Sequence, residues 1–282
     1  MKIAAISDIH ANHLALETIL QYVEREGIKH ILFLGDYITD CPYPGKTVSL
    51  LYECLEKYNC FFIRGNREDY LINHHYNPNN NWKYSSSTGS LLYTYSNITQ
   101  NDIEFFKSMP VSMKVKIDDY PSIFICHGSP VKTKDWLYEK DELIYSHIKD
   151  IDCKYFIFGH SHRSYSKNIF GKKVLFCPSA GLPANNNTDA QFLVLEYNDI
   201  EWTSKVVSLP YNREKLVQEF HESRLIEKSR IWAKCILKQL GTGIECCASC
   251  VKLARKKANS SASWDTVPEK YWIEAARELG IS

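Results

Sequence analysis

Seven side chains of metal-ligand type stand directly after short apolar runs. Asp8 and His10 follow IAAIS, Asp36 follows HILFLG, and Asn66 follows CFFIRG. His127 follows SIFIC, and His160 and His162 follow or lie just beyond KYFIFG. The set holds two carboxylates, one amide oxygen and four imidazoles, with no thiolate. Such donors suit Mn first, with Fe, Zn or Ni as alternatives, better than Ca or Mg. Seven ligands are too many for one tetrahedral ion, but they fit two divalent ions that share a bridging carboxylate. Two ions about 3.5–4 Å apart clamp the attacking and leaving oxygens of an in-line displacement at phosphorus.

The elements around these residues explain how they would converge. The apolar runs read as strands, and the patterns between them read as helices over 13–26 and 46–58. In the first helix Leu16, Ile19, Leu20 and Val23 fall at helical spacing. Strands separated by helices imply crossover connections and a parallel sheet. In such sheets ligands bind beyond the carboxyl ends of the strands. Glycines beside Asp36, Asn66, His127 and His160 let the chain turn sharply there.

The segment 73–90, rich in Asn, Ser and aromatics, reads as a long surface loop. His74, His75, Trp82 and Tyr84 would be solvated there or form a lid over the site. Helical patterns return at 89–96 and 100–108, and Pro110 ends the second. The runs 174–179, 191–197 and 201–209 follow closely without helices between them, as strands joined by hairpins do. Beyond Pro210 the pattern turns helical, over 211–240, 244–258 and a final helix near Pro268, with Asp265 or Thr266 as its cap. The expected organisation is a catalytic domain over 1–210 and a helical extension over 211–282.

SDIHAN, GDY, GNRE, CHGSP and GHSH occur in this order, and the chain thereby resembles the calcineurin-like metallophosphoesterases. Its motifs look most like those of the small bacterial and archaeal phosphodiesterase-like branch, and CPSAGLP at 177–183 also resembles that branch. The resemblance covers roughly residues 1–208. It implies a four-layer α/β/β/α sandwich, to which the helical extension is added. It also implies that Asp8, His10 and His162 hold one metal, that Asn66, His127 and His160 hold the second, and that Asp36 bridges both. Asp36, Asn66, Arg67 and His127 would then carry catalysis, with a metal-bridging hydroxide attacking phosphorus in line.

One position departs from many relatives, which carry His after the Gly-Asn pair. Here it is Arg67. Arginine stays protonated and is no practical proton donor, yet it makes bidentate contacts to phosphate oxygens. This favours phosphodiesters, aryl esters or phosphoanhydrides over alkyl monoesters. Pairing of Arg67 with Glu68 or Asp69 on a helix face is an equal alternative. Asn12 reads as a substrate contact or as a cap for the first helix. Rival functions on the same site are a Ser/Thr protein phosphatase and a dinucleoside polyphosphate hydrolase. A non-catalytic scaffold of the same fold is a further rival, opposed by the completeness of the ligand set.

Composition narrows the class. The 282 residues are 44% hydrophobic and carry a net charge of +1, so no global field draws the chain to nucleic acid or anionic membrane. No apolar run approaches the roughly 18 residues that span a bilayer, and the N-terminal apolar stretch is too short for a signal-peptide core. The expected setting is the cytoplasm, with a small phosphoester or nucleotide as partner. Ten cysteines without a secretion signal read as free thiols. Cys60, Cys126 and Cys177 lie in or beside strand-like runs. Cys246, Cys247 and Cys250 suggest zinc, but a structural site takes four ligands and only Cys235 stands near, so thiols on a helix are the favoured reading. Residues 213–257 hold eleven Lys or Arg and five Glu. That basic stretch is either a solvated helix pair or a surface for an anionic substrate or partner.

Overall fold

The computed structural model describes residues 1–78, 81–259 and 263–281. The chain opens with β1 (Lys2–Ile6), α1 (His13–Arg25), β2 (His30–Phe33), α2 (Pro44–Lys57) and β3 (Asn59–Phe62). Three helices follow: α3 (Asn66–Tyr76), α4 (Gly89–Tyr95) and α5 (Gln100–Ser108). Next come β4 (Ser112–Val115), β5 (Ile123–Cys126), α6 (Asp141–Ile148), β6 (Tyr155–Phe158), β7 (Tyr165–Ile169) and β8 (Lys172–Phe176). The strands end with β9 (Ala190–Tyr197) and β10 (Trp202–Leu209). Beyond them lie α7 (Arg213–Glu222), α8 (Leu225–Ser229), α9 (Ile231–Thr242), α10 (Cys247–Lys257) and α11 (Glu269–Glu278).

The strands form two five-stranded sheets, ordered β10-β9-β1-β2-β3 and β4-β5-β6-β8-β7. As the crossover argument requires, β1, β2 and β3 run parallel, and so do β5, β6 and β8. Strand alternation sets the layers, since successive side chains point to opposite faces. Ile3 and Ala5 of β1 join Ile125, Ile157 and Leu175 in the core between the sheets. Ala4 and Ile6 face the other way and pack with Leu16 and Ile19 of α1 and Phe106 of α5. On the far side, Phe156 and Phe158 of β6 pack against Ile144 and Ile148 of α6. The result is the four-layer α/β/β/α sandwich.

The C-terminal helices add a fourth apolar cluster, in which Leu216, Phe220, Trp232 and Trp272 meet Ala11, Leu14, Tyr93 and Leu182 of the sandwich. Two of the sandwich residues in this cluster, Ala11 and Leu182, neighbour candidate ligands in sequence or space, so the helices stand over the ligand-bearing end. Among the described residues no helix is long and apolar enough to cross a membrane.

Several expectations are corrected. Helix α3 runs through His74 and His75 to Tyr76, and Ser85, Ser86, Ser87 and Thr88 are buried. Ser86 binds Glu269 and Ser87 accepts from the Trp272 indole, so the second half of 73–90 is a docking strip for the C-terminal helices. His74 stacks on Trp82 at 3.9 Å; residues 79–80 of this segment lie outside the described residues. The expected helix over 211–240 is three helices. Pro268 itself occupies the N-cap position of α11, while Asp265 and Thr266 belong to a 3-10 turn, Trp264–Thr266. Strands β8 and β9 are not a hairpin but belong to different sheets; the hairpins are β7–β8 and β9–β10. All ten cysteines are free. The Cys235 thiol lies beside those of Cys246, Cys247 and Cys250, in the cluster that joins extension and sandwich.

Candidate metal centre

The loops that leave β1, β2 and β3 lock onto one another. The amide of Asp8 donates to the carbonyl of Gly35 at 3.0 Å, and that of His10 to Asp36 at 3.0 Å. The approach is close enough to demand glycine. A Cβ on Gly35 would stand 2.4 Å from the Gly65 nitrogen, and one on Gly65 would stand 2.2 Å from Asp36 Oδ1. Five of the seven candidate ligands, Asp8, His10, Asp36, His160 and His162, have positive φ. Left-handed backbone at non-glycine residues costs about 1–3 kcal/mol each and persists where surrounding structure enforces it, typically at functional sites.

The ligating atoms fall into two groups, each within 4.8 Å: Asp8, His10 and His162, and Asp36, His127 and His160. In the first, Nε2 of His10 lies 3.1 Å from Nε2 of His162, and Asp8 Oδ1 lies 3.3 Å from His162 Nε2. In the second, His127 Nε2 lies 3.5 Å from Asp36 Oδ1 and 3.3 Å from Asn66 Oδ1. Asp36 reaches both groups, since its Oδ2 is 3.8 Å from His10 Nε2. All seven expected ligands are thus brought together at one place.

The surroundings orient these groups for a cation. The outer nitrogen Nδ1 of His127 donates to the Leu34 carbonyl at 2.7 Å, and Nδ1 of His162 to the Leu182 carbonyl at 2.6 Å. Holding the proton outside fixes the tautomer and turns the Nε2 lone pair inward. Asp8 Oδ2 accepts from Ser7 and from the His160 amide, whereas Asp8 Oδ1 is buried without a hydrogen-bond partner. A buried, orphaned carboxylate oxygen beside inward imidazole nitrogens is unfavourable unless a cation satisfies it. The residues therefore fit a divalent metal.

The electrostatics agree. Burial opposes ionisation of Asp8, yet His162, His127 and His10 outweigh it and hold the carboxyl far below the usual range. Asp36 behaves likewise, with burial overcome by His127 and His10. Burial opposes a charge on His127, but Asp36 and Asp8 outweigh it and push its pKa up to about 10, so without a cation the ring carries the positive charge that a metal at Nε2 would supply in its place. Burial and then the charge of His127 push His160 down to about 4. The site is strongly poised for positive charge at its carboxylates.

The family model for the calcineurin-like phosphoesterases matches residues 1–164. The chain belongs to that family. It is therefore a metal-dependent phosphoesterase by class. An uncharacterized protein from Methanocaldococcus jannaschii is 27% identical over 244 residues, which cover 80% of this chain and 94% of that one. A metallophosphoesterase from Sphaerobacter thermophilus superposes with a TM-score of 0.67 at 19% identity, covering 86% of this chain and all of the other. A hypothetical protein from Pyrococcus horikoshii superposes with a TM-score of 0.72 at 17% identity, covering 86% and 98%. These two structures share the fold.

Within this phosphoesterase the sequence reading overlooked Asp40. It is buried, and its Oδ2 lies 3.0 Å from His10 Nδ1 and 3.1 Å from an Arg67 nitrogen. Its Oδ1 accepts from Trp232 Nε1 at 2.7 Å and from Ser90 at 3.0 Å. Burial opposes its charge, but Arg67 and His10 hold its carboxyl well below the ordinary range. Glu68 was also unforeseen. It accepts from the backbone amides of Asp36, Tyr37 and Gly65, so it clamps two ligand loops together. Arg67 pairs with neither Glu68 nor Asp69. Its side chain runs to Asp40 and lies over the Trp232 ring at 5.6 Å. Asn12 proves to be a cap, accepting from the Ala15 amide, and its amide nitrogen donates to the Gly181 carbonyl and to Tyr211.

A cavity of about 850 Å³ opens from the phosphoesterase centre. His10, Asn66, Arg67, His160 and His162 line it on one side. Side chains of α9 and α10, and Trp264 beyond them, line it on the other.

Proposed function

We propose that the chain hydrolyses phosphodiester or phosphoanhydride bonds at a two-metal centre. In this reading Asp8, His10 and His162 hold one ion, Asn66, His127 and His160 hold the other, and Asp36 serves both. The observation that carries it is the pair of ligand groups side by side, with Asp36 within 3.5 Å of His127 and 3.8 Å of His10. The donor set suits Mn first, with Fe, Zn or Ni as alternatives. When bound, such a pair supplies positive charge at the phosphoryl oxygens and a water acidified toward neutrality.

The protein's own groups do the rest. The inward Nε2 atoms and the two carboxylates would set the reaction centre beside the wall where His10, Asn66, His160 and His162 line the cavity. Arg67, held by Asp40 and Trp232, faces the cavity with a permanent charge that stabilises non-bridging phosphoryl oxygens. It has no proton to give, which favours leaving groups that depart without one. The side chains of His74 and His75 stay outside the cavity lining and supply no donor in its place. Ten free thiols suit a reducing compartment, and we place the enzyme in the cytoplasm.

Turnover of bis(p-nitrophenyl) phosphate by Mn-reconstituted protein tests the function. Hydrolysis that chelator stops and Mn restores is expected. Protein that binds Mn yet hydrolyses neither this diester nor a phosphoanhydride contradicts it.

A further inference from the structure

The cavity is far larger than a phosphoryl group. At about 850 Å³ it has the size of a site for a nucleotide-like ligand. Its far wall is built by the helical extension and carries two kinds of group. Trp232 and Trp264 present aromatic surface, with ring centroids 6.5 Å apart and planes inclined by 27°. Lys252, Arg255 and Lys256 project from one face of α10, at the i, i+3 and i+4 spacing of a helix.

These three cations have no carboxylate partner among the described residues. Arg255 Nε is buried and makes no hydrogen bond. The one acidic side chain on this wall, Glu245, is already used, since it accepts from the amides of Ala248 and Ser249 at the start of α10. A buried guanidinium N–H without an acceptor, here Nε of the half-buried Arg255, costs free energy unless an acceptor such as an anion reaches it. Guanidinium matches phosphate by forked hydrogen bonding, and indoles stack on bases.

We infer that the extension is a substrate-recognition element: Arg255, with Lys252 and Lys256, binds a second phosphate of the substrate, and Trp264 packs against its base. The substrate class is then a nucleotide ester or anhydride with at least one phosphate beyond the one under attack. This rests on the proposed chemistry at the metal centre for turnover, but not for binding. It assigns a role to three cations of the basic stretch 213–257, of which others, such as Arg213, Arg224, Arg230 and Lys257, already pair with carboxylates.

Two measurements on the full-length protein separate the two claims. The first is binding of ATP to the inactive Asp36→Asn protein, followed by tryptophan fluorescence. Adding Arg255→Gln is expected to weaken ATP about 10- to 100-fold, the effect of losing one charge-assisted pair. Arg255→Lys, which keeps the charge but not the fork, should fall between. The second compares kcat/KM for diadenosine tetraphosphate, p-nitrophenyl thymidine 5′-phosphate and bis(p-nitrophenyl) phosphate. Arg255→Gln should lower the first relative to the third by about tenfold or more, with the loss in KM. Trp264→Ala should lower both nucleotides relative to the third. Equal binding of ATP by both proteins, with circular dichroism unchanged, overturns the inference. So does an equal loss on all three substrates. Failure of every substrate to turn over while ATP binding still depends on Arg255 rejects the catalytic proposal and leaves this one standing.

Discussion

The indole N–H of Trp232 donates to the carboxylate of Asp40 across 2.7 Å, although 192 residues separate them. Asp40 in turn faces Nδ1 of His10 at 3.0 Å. The helical extension is thereby joined to a candidate metal ligand through one buried carboxylate. Partners of this kind hold the ring of a ligating histidine in place and raise its basicity.

Asp40→Asn is expected to weaken metal binding about 10- to 100-fold, the usual effect of losing a carboxylate behind a ligating histidine. Trp232→Phe keeps the ring but removes the N–H, so a smaller loss in the same direction is expected. Isothermal titration with Mn checks both. Unchanged affinity in Asp40→Asn, with the fold intact, would show that His10 needs no such support.

Asp36→Asn and His127→Ala should each abolish turnover while leaving the far-ultraviolet circular dichroism unchanged. Asp36 is the carboxylate that reaches both ligand groups, and His127 supplies the inward nitrogen nearest it. Rates close to wild type in either variant would place the chemistry elsewhere.

Arg67→His tests the leaving-group argument. The wild type should prefer bis-aryl phosphates and dinucleoside polyphosphates over an alkyl monoester, because Arg67 cannot protonate an alkoxide. The variant should gain relatively on the monoester, as read by the ratios of kcat/KM. Ratios that do not move assign Arg67 to holding Asp40 and Trp232 in place, not to the reaction.

Glu219 gives a pH-dependent prediction remote from the ligands. It lies 2.9 Å from both His13 and Lys46, and so ties α7 to α1 and α2. Burial opposes its charge, but Lys46 and His13 outweigh this and lower its pKa below the ordinary 4.5. A carboxyl depressed in the folded state contributes stability that is complete above the unfolded pKa and is lost as pH falls through the folded one. Glu219→Gln should therefore destabilise the protein at pH 7 by about 1–2 kcal/mol. The gap to wild type should close as pH drops below 4.5. Urea melts at pH 7, 5 and 4 read this out, and a constant gap contradicts the ion-pair origin.

The candidate ligands, which the structure brings together, stand out in the sequence because each lies at or just beyond the end of an apolar strand, where a local pattern betrays it. Asp40 does not, since its partners His10, Arg67 and Trp232 come from three separate stretches and YITD alone has no signature. The two strands absent from the sequence reading, β4 and β7, are the two edges of the second sheet. Edge strands carry polar residues on their open side, as Lys114, Lys167 and Asn168 do here, and so lack a continuous apolar run. The stretch 211–240 is broken at Arg224 and Arg230, which adopt positive φ. Neither is Gly or Asn, so helical spacing gave no warning. Helix α6 is only eight residues long with two buried isoleucines, too little pattern to stand out.

The most direct test of the two-metal centre is metal content against activity. Protein stripped with chelator and titrated with Mn should bind two equivalents per chain, with diester hydrolysis appearing only as the second is taken up. Chelation should also lower the melting temperature, since Asp8 Oδ1 and the inward imidazoles lose their counter-charge. Saturation at one equivalent with full activity, or hydrolysis that persists in the stripped protein, would contradict it.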